Sequence, residues 1–270
     1  MNKFHKKILF ILALFIVNIF ILVACQSKNT YNKENLELGT NINENNAKVL
    51  SIQNKEDTLD NENNLYKVIK NISDFSIYNI LIKYEELNEQ NNILSKSELF
   101  LDLTLNPNES SEISFINDDK VKNINIVSYE YNTLDKKVSV DMKDDKVAIT
   151  RNDKVLKDSK EYEVLTTSKI YKVKNSNTID TYALDIKNTS KKELGNITIK
   201  IGQLDEDGKY IMVDSISSYN ILKPSEGISM EIKARENTNN IQLLGYSYDD
   251  IKEKANINID LKLHKANISG

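Results

Sequence analysis

The sequence predicts an all-β chain built as two tandem antiparallel β-sandwiches, and three observations carry that expectation. Apolar and polar residues alternate with period two in Leu184-Asp185-Ile186-Lys187, Ile197-Thr198-Ile199-Lys200-Ile201 and Ile257-Asn258-Ile259-Asp260-Leu261-Lys262-Leu263. That period marks half-buried strands, and helical period is scarce. Turn-forming residues separate these stretches roughly every ten positions, the spacing of a sandwich. Lastly, one segment occurs twice.

The duplication is read from fixed points. The only two prolines lie in Leu105-Asn106-Pro107-Asn108-Glu109 and Leu222-Lys223-Pro224-Ser225-Glu226, 117 residues apart. The same offset carries Lys70-Asn71-Ile72-Ser73 onto Lys187-Asn188-Thr189-Ser190, Asn79-Ile80-Leu81-Ile82-Lys83 onto Asn196-Ile197-Thr198-Ile199-Lys200, and Tyr129-Glu130-Tyr131 onto Tyr246-Ser247-Tyr248. No gap is needed from residue 65 to 131, and about 17 positions in that span are identical. A self-similar period of this kind is the mark of a tandem repeat. The organisation expected is a signal peptide over 1–24, Cys25 with a flexible tether to 47, a first sandwich over 48–155 and a second over 156–270.

The leader opens with Lys3, Lys6 and Lys7 and continues in an apolar run from Ile8 to Ala24 broken only by Asn18. This is the basic and then apolar order of a secretory signal, expected as a helix, and the run is nearly long enough to be an uncleaved membrane anchor instead. The end of the run, Leu22-Val23-Ala24-Cys25, resembles the lipobox of bacterial lipoproteins, and Cys25 is the chain's single cysteine. That resemblance implies cleavage before Cys25, a diacylglycerol on its thiol and in some members a third chain on its amine. The bilayer would then be a partner through acylated Cys25. One acyl chain binds a membrane marginally and two or more hold it stably. Loss of the leader's three lysines leaves 33 basic against 40 acidic residues, a net charge of −7, so no basic patch is expected to assist.

Residues 26–47, QSKNTYNKENLELGTNINENNA, are polar and Asn-rich with no sustained apolar period. Such a segment cannot bury enough surface to offset its ordering entropy, so a disordered tether is expected. About 22 flexible residues reach on the order of 26 Å, beyond the screening length of about 8 Å at physiological salt.

Within each copy the turns have mechanisms. Asn188 and Ser190 can bond their own backbone, Asp207-Gly208 suits a hairpin needing positive φ, and Pro107 and Pro224 fall where no ladder N–H is wanted. About 110 residues per copy with this patterning fit an immunoglobulin-like sandwich. One cysteine and no tryptophan leave its core to apolar packing alone. In the last shared strand Ile124 and Ile126 lie in one phase and Val127, Tyr129 and Tyr131 in the other, and the second copy repeats this with Ile241 and Leu243, then Leu244, Tyr246 and Tyr248. Either a bulge shifts the register or both faces are buried, and both readings make the strand central. The order strand, Lys-Asn-x-Ser, strand, Leu-Asp-Glu-Asp-Gly, strand, Leu-x-Pro-x-Glu resembles the small sandwich modules called FxLYD domains of secreted and lipid-anchored bacterial proteins. That resemblance covers most of residues 48–270 as two units and implies no catalysis.

Several function classes fall away. One Cys excludes a disulfide framework and a Cys-based zinc site, and His5 and His264 are too few for a His cluster or triad. No glycine-rich phosphate loop is present, and an acidic, secreted chain without a basic stripe is not expected to bind nucleic acid. Asp205-Glu206-Asp207-Gly208 reads as a hairpin turn rather than a calcium loop, whose pattern needs further acids. The acid pairs Asp118-Asp119, Asp144-Asp145 and Asp249-Asp250 read as structural rather than as catalytic dyads, because adjacent strand residues point to opposite faces. Tyr129 with Tyr131, and Tyr246 with Tyr248, read as core rather than a sugar-stacking platform. His264 is expected at the surface without a role, and the Asn71-Ile72-Ser73 sequon as turn chemistry. No catalytic residue, metal or cofactor is expected. The function expected is a non-enzymatic binding or structural role outside the cytoplasmic membrane, toward a protein or cell-wall polymer. The alternative is a solute-binding receptor of a transport system, which usually needs two α/β lobes.

Overall fold

The computed structural model describes residues 41–55, 66–115, 120–174 and 179–270, all within one compact unit running from Glu34 to Gly270. No α-helix occurs among them. In the first copy the strands are β1 (Leu50–Asn54), β2 (Tyr66–Asn71), β3 (Tyr78–Leu87), β4 (Ile93–Leu101), β5 (Ser110–Ser114), β6 (Asn123–Asn132), β7 (Lys136–Asp141) and β8 (Lys146–Arg151). After the short β9 (Lys157–Asp158) come β10 (Leu165–Thr167), β11 (Tyr171–Lys174), β12 (Thr181–Asn188), β13 (Leu194–Leu204), β14 (Tyr210–Ser218), β15 (Gly227–Lys233), β16 (Asn240–Asp250), β17 (Ala255–Asp260) and β18 (Lys265–Ser269).

Each copy is a two-layer antiparallel sandwich. In the first, β1-β2-β5 faces the five-stranded sheet β4-β3-β6-β7-β8, and Ile69 and Ile113 from one layer meet Ile80, Ile82, Tyr129 and Val138 from the other. In the second, β12 with β10, β11 and β15 faces β14-β13-β16-β17-β18-β9, and Leu184, Ile186 and Ile232 meet Ile197, Ile199, Tyr246 and Ile259. The alternation of β2 and β13 is what turns these side chains inward. The all-β sandwich expectation therefore holds. What the repeat did not announce is continuity: β5 pairs in parallel with β14 at Ser111 and Tyr210, so the small sheet of the first copy runs on into the large sheet of the second as nine strands.

The repeated residues form repeated bonds. Asn71 and Asn188 are each fully buried (0% exposed) at the end of β2 and β12. Each side-chain amide donates to two carbonyls, Asn71 to Phe75 (2.8 Å) and Leu105 (2.9 Å), Asn188 to Lys192 (2.8 Å) and Leu222 (2.9 Å). Each Oδ1 accepts from the serine two residues on, Ser73 N at 3.0 Å and Ser190 N at 2.9 Å, with both serine hydroxyls donating at 2.7 Å. Pro107 and Pro224 follow the first residue of a tight turn whose third residue, Asn108 (φ 66) or Ser225 (φ 68), has positive φ. Glu109 and Glu226 close it by accepting from the amide of Asn106 (2.8 Å) or Lys223 (2.9 Å). These are the turn and side-chain-to-backbone motifs anticipated for Pro, Asn and Ser.

The phase change in the last shared strand is a bulge. Register against β3 slips at Ile126–Ser128 and against β13 at Leu243–Gly245, placing Val127 and Leu244 at equivalent irregularities. Both strands are central, with neighbours on each side. Beyond this point the copies correspond at an offset of 119, because Tyr129 pairs with Val140 while Tyr246 pairs with Ile259.

Two expectations are corrected. The tether does not extend to residue 47: Ile42 and Ala47 are buried in the first core, and the Ala47 carbonyl accepts the Tyr131 hydroxyl at 2.8 Å. Two apolar residues in a polar stretch carry too little period to be seen, yet they close one end of the sandwich. The strand read over Ile257–Leu263 stops at Asp260, whose side chain accepts from the amides of Lys262 and Leu263, each at 2.9 Å, and so turns the chain. The leader, Cys25 and residues 26–40 of the tether lie outside the described residues.

Candidate interaction surfaces

The sequence-marked residues scatter over the fold. Asp205 heads the β13–β14 hairpin, its Oδ1 accepting from Asp207 N (3.1 Å) and Lys209 N (2.9 Å), with Gly208 at φ 75. The first copy makes the same turn with Asn88 as acceptor and Asn91 at φ 59, so the acids there are not needed for its geometry. Asp144 and Asp145 lie in the β7–β8 turn, and His264 (φ 54) is exposed in the β17–β18 turn. Asp118-Asp119 lies outside the described residues.

The tyrosine pairs are buried within the two cores, with ring centroids 6.3 Å apart for Tyr129–Tyr131 and 6.4 Å for Tyr246–Tyr248. Tyr131 and Tyr248 donate to equivalent backbone carbonyls, Ala47 (2.8 Å) and Tyr162 (2.9 Å). Burial, with the Asp250 charge added, pushes the Tyr248 hydroxyl up to about 12. The Tyr246 hydroxyl is buried without a hydrogen-bond partner among the described residues.

Asp249 and Asp250 part company as neighbours on a strand must. Asp249 accepts from Asn196 (2.5 Å) and Asn256 (2.8 Å) on one face, whereas Asp250 is buried and ion-paired to Lys192 at 2.5 Å. Burial works to raise the Asp250 pKa, but the Lys192 hydrogen bond and the Glu253 amide outweigh it and hold the carboxyl below the ordinary carboxylate range. A depressed folded-state pKa gives stability that is present above the unfolded value of about 3.9 and lost as pH falls through the folded one. Asp250→Asn is therefore expected to cost about 1 kcal/mol near neutrality and progressively less as pH falls below the ordinary carboxylate range, read from urea unfolding at a series of pH values. An equal deficit at all pH values would remove the pair from the acid limb.

Beside this pair the second copy has a concavity of about 360 Å³, walled by Tyr162, Val164, Leu194, Ile257 and Ile268 with Lys192 on its rim. Its size lies at the lower end of small-molecule sites.

A buried polar cluster lies at the join of the two copies. Lys262, from the β17–β18 turn, has a side chain only 6% exposed. Its ammonium donates to the Thr104 carbonyl (2.7 Å), the Tyr210 hydroxyl (3.0 Å) and the Glu109 carboxylate, and lies 4.8 Å from the centre of the Tyr210 ring. Burial lowers the Lys262 pKa, opposed by the charges of Glu109 and Asp260. Around it Thr104 donates to Asp260 (2.5 Å), Lys200 pairs with Asp102, and Lys209 pairs with Glu112 (3.0 Å). Tyr210 reaches this position by lying over Gly202, where a Cβ would meet the ring at 2.5 Å. Tyr210, Leu204 and Leu244 of the second copy thereby join the core of the first. Sequence reading missed this site, since its members are single Lys, Thr, Glu and Tyr residues far apart in the chain. The one available signal was the sequence difference between copies, Gly202 against Glu85 and Tyr210 against Ile93.

No helix among the described residues is long and apolar enough to cross a membrane, and Ile8–Ala24 lies outside them. Comparison with known proteins finds no matching family model and no matching curated protein. Among solved structures, the exo-chitosanase CsxA of Amycolatopsis orientalis is 13% identical over 74% of this chain and 25% of that one, with a TM-score of 0.20. Red sea bream transglutaminase is 8% identical over 91% of this chain and 33% of that one, with a TM-score of 0.22. A β-glucuronidase of Bacteroides uniformis is 9% identical over 76% and 25%, with a TM-score of 0.20. The chain spans a quarter to a third of the length of each.

Proposed function

We propose that the chain is a lipid-anchored, extracytoplasmic bacterial protein with a non-enzymatic binding or structural role at the cell surface. The observation that carries this reading is the placement of the single cysteine, Cys25, at the end of the basic and apolar leader in Leu22-Val23-Ala24-Cys25. A non-enzymatic role is supported by how the buried polar side chains are used. Asn71 and Asn188 hold turns, while Lys262, Glu109 and Thr104 hold one copy to the other. The surfaces offered to a protein or wall polymer are the strand edges and end loops that sandwich modules commonly use. The receptor alternative has less support, because both halves are β-sandwiches rather than α/β lobes around a cleft.

Lipidation is tested by growing cells with labelled palmitate. The wild-type chain is expected to take up label and Cys25→Ser none, and globomycin is expected to leave a larger, unprocessed form. A labelled Cys25→Ser chain, or a wild-type chain indifferent to globomycin, would overturn the anchor.

A further inference from the structure

The join between the copies is heterologous, since each side contributes a different surface. The first copy supplies the outer edge of β5 and the β4–β5 connection, with Asp102, Thr104, Glu109 and Ser111. The second supplies the start of β14 and the β17–β18 turn, with Lys200, Tyr210, Asp260 and Lys262. Because the copies are duplicates, each carries a version of both surfaces, and one version of each is left unused. On the second copy it is the outer edge of β15, which pairs only with β12 among the described strands. On the first copy it is the outer edge of β4, the last strand of its sheet.

We propose that these two unused surfaces bind one another between molecules, so that the chain self-associates head to tail and the internal join is repeated from one molecule to the next. This inference does not rest on the lipid anchor.

The receiving surface keeps its chemistry. Lys200, Asp260 and Lys262 correspond to Lys83, Asp141 and Lys143, and these three line an open concavity of about 500 Å³ on the first copy. The β7–β8 turn that presents Lys143 matches the β17–β18 turn that presents Lys262, with Asp141 accepting from the Lys143 and Asp144 amides at 2.9 Å each. The entering surface keeps its acid, because Glu109 corresponds to Glu226. An intermolecular join built like the internal one brings Glu226 to Lys143 as Glu109 meets Lys262.

The remaining positions change from polar to apolar on both sides. Asp102, Thr104 and Ser111 correspond to Tyr219, Ile221 and Ile228, of which Tyr219 is 82% and Ile221 54% exposed. Opposite them Tyr210 corresponds to Ile93, itself 51% exposed, so the Ser111–Tyr210 strand contact becomes Ile228 against Ile93. Exposed apolar residues on two edges, Tyr219 and Ile221 on one and Ile93 on the other, each rimmed by charge, are what a water-excluding contact uses, with Ile228 half-buried against the second core beside them. The copy also lacks parts of the original. Asn92 and Ser229 replace the Lys209–Glu112 pair, Lys83 is engaged by Glu130 (3.2 Å), and Glu85, held by Asn125 (3.1 Å), stands where Gly202 makes room. The contact is therefore weaker than the internal one and reversible. It does not close on itself, and such contacts generate open chains of molecules.

The test uses the full-length chain purified in detergent, in a Cys25→Ser background, with Ile93→Cys and Ile228→Cys together and copper phenanthroline as oxidant. Paired strand positions fall within disulfide reach. A ladder of dimers, trimers and larger species is expected, while either cysteine alone can give no more than a dimer. Lys143→Glu is expected to reduce the ladder about tenfold, because like charges then face each other across the contact, and Glu226→Lys in the same chain to restore it. The chain without engineered cysteines gives an independent reading by sedimentation velocity. Its mass is expected to rise with concentration, and that of Lys143→Glu to stay constant. A double-cysteine chain that stops at dimers, a ladder indifferent to Lys143→Glu, or an unvarying mass for the parent chain would overturn the proposal.

Discussion

Replacing Lys262 by Met is expected to destabilise the folded chain by about 3 kcal/mol and to split its unfolding into two transitions. Met keeps much of the aliphatic stem packed against Tyr210 but removes the ammonium that Glu109, Thr104 and Tyr210 share. Breaking one side of a buried ion pair is costly because the partner's charge stays behind without compensation. The figure sits at the low end of the range because Glu109, 22% exposed, also accepts from the Asn106 amide at 2.8 Å. Splitting is expected because the apolar residues form two cores coupled by the Lys262 cluster, the β5–β14 pairing and the packing of Leu204, Tyr210 and Leu244 on the first core, and Met removes the charged part of that coupling. Glu109→Gln added to Lys262→Met should recover much of the loss by removing the stranded charge. Urea unfolding followed by circular dichroism and tyrosine fluorescence reads all three. A single transition with an unmoved midpoint would show that the cluster does not tie the copies together.

Asn71→Ala and Asn188→Ala are each expected to cost about 3 kcal/mol, and by similar amounts. Each truncation leaves two buried carbonyls without their side-chain donor and a serine amide and hydroxyl without their acceptor. Both asparagines are fully buried, so each truncation also opens a cavity in the packed interior. Asn→Asp separates the mechanism from simple loss of volume. It preserves the acceptor but turns a carboxylate oxygen toward two carbonyls, and is expected to be at least as damaging as Ala. Thermal unfolding monitored by circular dichroism checks the pair. A variant at either position that melts with the parent would contradict the assigned role.

These same asparagines show how far the fold could be read in advance. Asn188 and Ser190 were legible as a turn because their side chains act on backbone within two to four residues, a range that sequence order displays directly. The prolines, the Asp207-Gly208 hairpin and the central strand with its phase change were legible for the same reason. The second bond of each asparagine, to Leu105 or Leu222, spans 34 residues and was invisible. So was the burial of Ile42 and Ala47, where two apolar side chains in a polar segment show no period although they cap a core. The Lys262 cluster was hidden more completely. Its alternating surroundings, Ile257 to Leu263, extended the strand pattern through what is a turn, and nothing local distinguishes a lysine that will be buried by another copy from one left in water. The bulge was half legible, since the phase reversal at Val127 and Leu244 allowed a bulge or two buried faces and only the register with β3 and β13 chose between them.

The offset between the copies, 117 residues from β2 to the bulged strands and 119 beyond them, dates the change to a time after the ancestral gene was copied. Two residues were gained or lost in the connection between β6 and β7 or between β16 and β17, and neither neighbouring ladder was disturbed. Length drift was tolerated there because that connection lies outside the join, and in the second copy its longer form packs on the end of the Asn188 turn, where Lys192 pairs with Asp250 and the Ile251 amide donates to the Glu193 carbonyl at 3.4 Å. Homologues of this chain should accordingly vary in length at residues 132–136 and 250–255 before they vary anywhere between Asn71 and Glu109.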